Sequence, residues 1–212
     1  MRSVSKAALA AAAALAASLA AVAEDARSLL ERMEHALATR NYQGTFVHEH
    51  DGQSETLRIA HRAQNGTFAE RVVSLDGSGR EAIQRDGELR AYFPDQRVVL
   101  VETGPKGGLL LSGLAGLDSA ASQLYRMSEE APTRISGRTA RVIAVEPQDD
   151  LRYGYKVWID ESTAMPLRTE SHAAGGQVVE QLVFTDLRLP SHIADSALQP
   201  AAATRQYRLL RR

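Results

Sequence analysis

The sequence contains no cysteine, one tryptophan and no excess of basic residues. The absence of cysteine excludes disulfides, thiolate nucleophiles and cysteine-based zinc sites throughout the chain. The 25 Lys and Arg residues are balanced by 26 Asp and Glu residues, so the charge provides no basic surface for nucleic acid. A chain without disulfides must be stabilised by apolar burial.

The familiar motifs of enzymes are also lacking. There is no GxSxG elbow, no HExxH helix, no phosphate-binding glycine loop and no dinucleotide fingerprint. Gly77-Ser78-Gly79 stands in a polar turn, and the placement of the other Ser, Asp and His residues does not indicate a catalytic triad. We therefore predict no catalytic residue, no cofactor and no metal ion, and we expect a binding protein rather than an enzyme.

Residues 1–23 have the pattern of a cleaved signal peptide. Arg2 and Lys6 precede an uncharged, alanine-rich stretch that ends in the small-x-small triplet Ala21-Val22-Ala23. The alternative is a membrane anchor, but the stretch is short for the ~20 residues of a membrane span, and alanine partitions weakly into lipid. Removing 23 of 212 residues leaves 189, enough for one domain, which we predict over residues 24–190.

Two segments are predicted to be helical. In residues 25–40, apolar side chains recur at the spacing of a single helical stripe, at Ala26, Leu29, Leu30, Met33 and Leu37. The second segment is the apolar stretch from Leu109 to Leu117 followed by Asp118–Met127, whose Ser, Ala, Gln and Leu content favours helix. Each segment is expected to cover an apolar surface.

Turn dipeptides recur at intervals of one strand length from residue 42 to residue 189. Between them lie short runs rich in Val, Ile, Tyr, Phe and Thr, the pattern of an antiparallel meander. The predicted fold class is therefore α+β, mainly antiparallel β, with a curved sheet covered by two helical segments. The turn signals are Asp51-Gly52, Asn65-Gly66, Asp76-Gly77, Asp86-Gly87, Pro94-Asp95, Pro105–Gly108, Ser136-Gly137, Asp149-Asp150 and Gly175-Gly176.

His48-Glu49-His50 is the triplet that most resembles a metal site, because alternate residues of a strand point the same way. With a two-residue turn at Asp51-Gly52, Glu55 lies opposite His48, whereas His61 lies about 20 Å farther along the ladder. Two interpretations follow, a site made of His48, His50 and Glu55 or an exposed hairpin tip. We favour the hairpin tip, because most surface histidines are not ligands.

The stretch Tyr153–Glu170 contains the single tryptophan and the carboxylate pair Asp160-Glu161. Alternation before this pair predicts a strand, Glu161-Ser162-Thr163 has the composition of a turn, and Pro166 marks the approach of the next strand. Adjacent carboxylates on one turn lack the separation and the different environments of a catalytic acid and base. The pair is interpreted as a solvated turn in a three-strand corner.

Apolar residues of the predicted strands provide the candidate binding surface. If two helical segments fill the curved sheet only in part, an apolar hollow remains that can take a hydrophobic ligand. The alternative is a closed core, because an apolar sheet face is normally buried. The residues predicted to line the hollow are Phe46, Leu57, Ile59, Phe68, Leu89, Phe93, Trp158, Leu182 and Phe184.

A set of motifs resembles the N-terminal domain of the MucB/RseB family. The resemblance implies a half-open antiparallel β-barrel with helices at its mouth, similar to the LolA/LppX-like lipoprotein carriers. The motifs fall in order within residues 25–189, as Tyr42-Gln43-Gly44-Thr45-Phe46-Val47, Arg80–Arg85, Tyr92-Phe93-Pro94, Arg152–Asp160 and Met165-Pro166-Leu167-Arg168.

The resemblance also implies a function, because members of this family are periplasmic regulators of the envelope-stress sigma factor. They bind the periplasmic part of an RseA/MucA-type anti-sigma factor, shield it from proteolysis, and release it when lipid or lipopolysaccharide fragments occupy the protein. A second hypothesis is a periplasmic lipid or lipoprotein carrier of the LolA type, which needs the same hollow. Members continue into a second domain, so residues 191–212 are expected to be a flexible tail or a truncated linker.

Overall fold

The computed structural model describes residues 25–104, 108–112, 124–201 and 206–211. The predicted signal peptide lies outside these residues. Helix α1 covers residues 25–39, helical turn α2 covers Leu109–Ser112, and 3-10 turns cover Pro94–Gln96 and Asp195–Leu198. The strands are β1 (Tyr42–His50), β2 (Gln53–Gln64), β3 (Thr67–Ser74), β4 (Glu81–Arg85), β5 (Glu88–Phe93), β6 (Val98–Thr103), β7 (Tyr125–Ile135), β8 (Arg138–Pro147), β9 (Gly154–Asp160), β10 (Pro166–His172), β11 (Val178–Arg188) and β12 (Arg208–Arg211).

The strands form one sheet in the order β12-β6-β5-β4-β3-β2-β1-β11-β10-β9-β8-β7. Neighbours are antiparallel, except that β12 runs parallel to β6. The sheet therefore consists of two meanders, β1–β6 and β7–β11, which are joined where β1 pairs with β11. The antiparallel meander predicted from the turn signals is confirmed.

Four of the predicted turns are two-residue hairpin loops: Asp51-Gly52, Asn65-Gly66, Asp86-Gly87 and Ser136-Gly137. Both residues of each loop have positive φ, which is the type I′ geometry whose twist matches that of the flanking strands. The first hairpin pairs His48 with Glu55, as predicted from its turn.

Helix α1 is confirmed, and it fills the main core. Its apolar stripe is buried together with residues of both meanders, among them Tyr42, Ile143 and Phe184. Asp25, in the first described turn, is bound by Nη2 of Arg141 on β8 at 2.5 Å. We call the sheet face that carries α1 and Phe46 the inner face and the opposite face the outer face. The stripe consists of Ala26, Leu29, Leu30, Met33, Ala36 and Leu37.

Strands β9, β10 and β11 form the predicted three-strand corner. The prediction of a solvated carboxylate pair is wrong for Asp160, which is 2% exposed. Its carboxylate accepts hydrogen bonds from the backbone N–H and Oγ of Ser162 (3.1 and 2.9 Å), Thr163 Oγ1 (2.8 Å) and Arg138 Nη1 (2.7 Å). Burial alone would raise the pKa of Asp160, but these hydrogen bonds hold it below its usual value. Asp160 thus ties the β9–β10 turn to the start of β8.

The half-open barrel and the second helical segment are not confirmed. Strands β12 and β7 stand at opposite ends of the sheet order and do not pair within the described residues, so the sheet is not closed. Of the second segment, Leu109–Ser112 is helical, and residues 113–123 lie outside the described part. Tyr125–Met127 was predicted to be helical but belongs to β7, because pairing with β8 overrides a weak local propensity. Among the described residues, no helix is both long enough and apolar enough to cross a bilayer.

A flexible tail was expected after residue 190, but residues 191–201 pack against the sheet. Ile193 and Leu198 are buried against Ala69 on the outer face, and Nη1 of Arg62 pairs with Asp195 at 2.5 Å. Farther along, Tyr207 packs on a cluster of four outer-face residues of β4–β6. Apolar side chains therefore hold this segment against the sheet. The cluster consists of Ile83, Tyr92, Val99 and Val101.

Candidate ligand-binding cavity

An apolar cavity of about 250 Å³ opens on the inner face of the sheet, beside the core that α1 fills. Its apolar part is formed by β1–β4 and β11 with turn α2, and its polar part by β1, β10 and β11. The apolar lining residues are Phe46, Leu57, Val72, Ala82, Leu109, Leu110 and Leu182, and the polar ones are His48, Thr169, Glu170, Ser171 and Glu180.

The lining shows that the sheet is curved. Ala82 on β4 and Thr169 on β10 border the same cavity, although five strand-to-strand steps separate β4 from β10. In a flat sheet these strands would lie about 24 Å apart, since neighbouring strands are spaced by ~4.8 Å. The curvature brings them around a single hollow.

Turn α2 is anchored to the sheet by one buried carboxylate. Glu70 on β3 is fully buried, and its Oε1 accepts a hydrogen bond from the backbone N–H of Leu109 at 2.8 Å. The preceding Gly108 has a φ of 94°, and a Cβ there would lie 3.1 Å from Oε2 of Glu70. Glycine is therefore required for the chain to pass so close before Leu109 and Leu110 turn towards the cavity.

The other oxygen of Glu70 joins a stacked pair of rings. Oε2 lies 2.9 Å from Nδ1 of His61 and accepts a hydrogen bond from the Tyr42 hydroxyl at 3.1 Å. The His61 and Tyr42 rings stack with centroids 4.4 Å apart, and both residues are buried. Burial above all, and then the charge and hydrogen bond of Glu70, raises the pKa of Tyr42, so its hydroxyl stays protonated and donates. Glu70 thus connects α2 to β1, β2 and β3 at once.

The polar side chains of the cavity lie towards the β1–β2 hairpin tip. Nε2 of His48 is 2.7 Å from Oε1 of Glu180, and Ser171 Oγ is 3.5 Å from Oε2 of the same carboxylate. Thr169 pairs with Leu182 and Ser171 with Glu180, so both hydroxyls share the inner face with them. We call His48, Thr169, Ser171 and Glu180 the cavity mouth. Both members of the His48–Glu180 pair remain about one-third exposed.

The structure brings together some of the residues predicted to line the hollow. Phe46, Leu57 and Leu182 line the cavity. Phe184 lies directly behind it, buried, with its ring centroid 5.5 Å from that of Phe46. Ile59 is fully buried in the core and borders a separate groove of the outer face. Whether these residues contact a ligand stays a prediction.

Other predicted lining residues are placed elsewhere. Trp158 pairs with Arg168 and Val142, one residue out of phase with Thr169 and Val157, so it lies on the outer face. There the Arg168 guanidinium sits 4.7 Å from its ring centroid. Three further residues share the inner face but do not line the cavity. They are Phe68, which stacks on His61, and the half-buried Leu89 and Phe93 of β5.

The histidine triplet does not form a metal-like cluster in the described part of the chain. His48 pairs with Glu180, and His50 pairs with Asp51 at 3.1 Å on the exposed hairpin tip. No group of three or more Asp, Glu or His side chains among the described residues is arranged to hold a metal ion. His50 lies at the exposed hairpin tip, whereas His48 lines the cavity.

Several lining residues were missed by the sequence analysis. Leu109 and Leu110 were assigned to a covering segment, but the carboxylate that anchors them is 39 residues away in the chain. Glu180 and His48 meet because β1 pairs with β11, a contact between residues 132 apart. The only available signal was parity, since Glu180 shares a strand face with Leu182.

Comparison with known proteins assigns the chain to a family. The profile described as MucB/RseB N-terminal domain matches residues 25–202. The sigma factor AlgU regulatory protein MucB of Pseudomonas aeruginosa is 31% identical over 182 residues, which are 85% of this chain and 56% of that protein. The sigma-E factor regulatory protein RseB of Haemophilus influenzae is 28% identical over 79% of this chain and 53% of its own length. The chain thus spans about half the length of these curated relatives, whose names describe regulatory proteins rather than enzymes.

Solved structures agree with this assignment. The crystal structure of MucB is 30% identical to this chain with a TM-score of 0.69, and the similarity covers 87% of this chain and 65% of that one. MucB in complex with MucA(peri) is 31% identical with a TM-score of 0.68, over 87% of this chain and 62% of that one. A family profile covering most of the chain and a shared fold lead to one conclusion. The chain belongs to the MucB/RseB family, and the match to the family's N-terminal domain covers residues 25–202.

Proposed function

We propose that the protein is a periplasmic negative regulator of the envelope-stress sigma factor. In this function it binds the periplasmic part of an RseA/MucA-type anti-sigma factor and senses lipid or lipopolysaccharide through its inner-face cavity. Occupancy of the cavity weakens the hold on the anti-sigma factor, which then becomes open to proteolysis.

The proposed partner rests on the similarity of this chain to MucB as crystallised with MucA(peri). This similarity extends over 87% of the chain with a TM-score of 0.68, so it concerns the whole described sheet rather than one motif. The signal-peptide pattern of residues 1–23 supports a periplasmic location, where such a partner segment is reached.

The cavity supports the sensing part of the proposal. Seven apolar residues line it, and burial of an acyl chain among them contributes about 0.8 kcal/mol for each methylene removed from water. Turn α2 contributes Leu109 and Leu110 to this lining while Glu70 holds it to β3. An acyl chain that displaces Leu109 and Leu110 acts directly on turn α2. Because Glu70 holds this turn to β3, binding of the ligand is connected mechanically to the rest of the protein.

Partner binding is tested by mixing the protein without its signal peptide (residues 1–23) with a fluorescently labelled periplasmic segment of the anti-sigma factor from the same organism. We expect a saturable rise in anisotropy, and a fall when a single-chain lipid is added below its aggregation concentration. The protein extended at its C-terminus to the length of the curated relatives serves as the reference. No binding by that extended protein would refute the regulatory function, and efficient transfer of a lipoprotein between membranes would favour a carrier instead.

Lipid binding is tested by Leu182→Asp, which places a charge on the cavity wall at a half-buried position. We expect at least about a tenfold loss of lipid affinity with a smaller effect on folding, because a buried charge without a partner is costly only where water is excluded. Val183→Asp is the matched control, since Val183 is the half-buried next residue on the opposite face. Equal losses of affinity in the two variants would contradict a lipid site in this cavity.

A further inference from the structure

Turn α2 is the part of the cavity wall that can move without breaking the sheet. Among the described lining residues, only Leu109 and Leu110 lie outside the sheet. The others lie on β1–β4, β10 and β11, and each of these strands is paired on both sides. Backbone ladders hold such strands in register, whereas a single helical turn has no ladder. Widening of the cavity therefore requires a movement of α2.

The cavity is narrow while α2 is in its present position. Its volume of about 250 Å³ lies below the ~300–1,000 Å³ of common ligand sites. Leu110 also packs on the main core that α1 fills, so α2 borders both the cavity and the core. An acyl chain longer than the present hollow buries more of its surface only if the two leucines give way.

Glu70 is held so firmly that its carboxylate cannot follow α2. Its side chain is fully buried, and Oε2 is fixed by Nδ1 of His61 at 2.9 Å and by the Tyr42 hydroxyl at 3.1 Å. The His61 ring in turn stacks on the rings of Tyr42 and Phe68, with centroids 4.4 and 5.3 Å away. Because three strands fix this carboxylate, movement of α2 breaks the bond from the Leu109 N–H to Oε1 of Glu70.

Breaking this bond is costly because Glu70 is shielded from water. Hydrogen bonds to a carboxylate are stronger than those between neutral groups, and solvent does not replace a donor that a buried acceptor loses. The free protein therefore favours the narrow cavity. The affinity for an acyl chain is lowered in proportion to the small fraction of molecules in which the bond is already broken.

We infer that Glu70 is a positioning residue whose hydrogen bond to Leu109 holds the cavity narrow, and that an acyl chain binds by breaking this bond. Glu70 does not line the cavity, so it acts on the ligand only through α2. This inference rests on the proposed lipid-sensing function and adds to it the step by which the cavity opens.

The first test follows hydrogen exchange at the backbone N–H of Leu109 by NMR. The protein without residues 1–23 is compared with and without saturating lauroyl lysophosphatidylglycerol, kept below its aggregation concentration. We expect exchange at Leu109 to become at least about threefold faster with lipid, while the amides of β2 and β3 stay unchanged. A ligand that only covers α2 would slow this exchange, so the sign of the change identifies an opened turn.

Two variants weaken the same bond from its two sides. Glu70→Gln keeps the size of the side chain but removes the charge that strengthens the bond. Gly108→Ala places a Cβ 3.1 Å from Oε2 of Glu70 at a φ of 94°, which displaces the chain just before Leu109. In isothermal titration calorimetry, we expect each variant to bind the lipid at least about threefold more tightly than the unaltered protein.

Matched controls separate this bond from a general loosening of the sheet. Glu81→Gln changes another buried carboxylate, one that accepts the backbone N–H of Ala201 at 2.9 Å on the outer face. Gly66→Ala changes another glycine of positive φ, where an added Cβ meets nothing within 4 Å. Both controls should leave the lipid affinity unchanged.

The outcomes separate this inference from the proposed function. Absence of lipid binding by the unaltered protein would overturn lipid sensing, and the inference with it. Binding that leaves exchange at Leu109 unchanged or slower would overturn the inference while lipid sensing stands. The inference also fails if Glu70→Gln and Gly108→Ala gain no affinity, or if the controls gain as much. If Glu70→Gln does not fold, Gly108→Ala decides.

Discussion

The segments that cover the two parts of the sheet lie on opposite faces. In the part formed by β7–β11 with β1 and β2, α1 covers the inner face, and residues such as Ile143, Val157 and Ile159 are fully buried there. In the part formed by β4–β6, the buried cluster lies on the outer face under Tyr207. On the inner face of that second part, Gln84 and Val98 are buried, whereas five apolar residues are only half-buried, namely Ala82, Leu89, Ala91, Phe93 and Leu100.

This difference shows what positions the cavity. Strands in both parts alternate apolar side chains between two faces. The face that becomes covered depends on the segment that packs on it, α1 in one part and Tyr207 in the other. The cavity lies at the border, where the inner face passes from the part that α1 fills to the part that it does not. A cavity at this border requires no special strand; it requires only that α1 cover less than the whole inner face.

The largest expected effect comes from the helix that defines the filled part. Leu37→Ala removes a fully buried side chain of α1, and we expect the free energy of unfolding to fall by about 2–5 kcal/mol. Urea denaturation followed by circular dichroism measures it. Arg32→Ala, an exposed change on the same helix, should shift the value by less than about 0.5 kcal/mol. A similarly small effect of Leu37→Ala would show that α1 does not hold this core together.

The junction of the two meanders is probed by Gly44→Ala. A Cβ at Gly44 would lie 2.3 Å from the carbonyl oxygen of Asp186, at the bulge where β1 meets β11. We expect a loss of about 1–3 kcal/mol through overpacking. Thermal unfolding should show it, with Thr45→Ala, half-buried on the neighbouring position, as a milder control. An unchanged melting temperature would mean that the two strands separate at little cost.

In the part of the sheet that α1 fills, Asp160 is expected to make the free energy of unfolding depend on pH. Because hydrogen bonds hold the pKa of Asp160 below its usual value of 3.8, its carboxylate stabilises the fold above about pH 4. That stabilisation is lost as the pH falls through the lowered pKa. Asp160→Asn should therefore cost about 1–2 kcal/mol at pH 7, and the difference from the wild type should shrink at pH 2–3. Urea titrations at the two pH values measure it, and a constant difference would contradict the role given to this carboxylate.

The smallest effect is expected in the β4–β6 part. Tyr207→Ala uncovers a four-residue cluster that Tyr207 covers only in part, so we expect a loss of about 1 kcal/mol. Amide hydrogen exchange should increase in β6 and β12 and stay unchanged in β8 and β9. Arg208→Ala, at an exposed neighbour, provides the control. Faster exchange throughout the sheet would show that the two parts unfold together and would weaken the comparison.

The sequence was sufficient where the interaction is local. The stripe of α1 and the four Asx-Gly or Ser-Gly turns are decided within a few residues, so the helix, the hairpins and the register of the first hairpin could be predicted. Trp158 was a candidate lining residue but lies on the outer face, because parity assigns two faces to a strand without telling which one is inner.

The rest depends on contacts between distant residues. The β1–β11 pairing, the anchoring of Leu109 by Glu70 and the docking of Ile193 on Ala69 each join residues far apart in the chain. Composition alone made Asp160 look like a solvated turn residue, since its partner Arg138 belongs to another strand. Long-range pairing therefore decided both the cavity mouth and the C-terminal segment.

An open sheet leaves two edge strands, here β12 and β7, on which further strands could add. Strand β7 is the longer of the two: within the described residues it pairs only with β8, and its register shifts between Glu130 and Thr133, next to Pro132. Proline lacks an N–H, a bulge twists the edge away, and exposed charges such as Arg134 repel a flat neighbour. The described sheet can thus stay open at β7 without further strands adding to that edge and extending it into a filament.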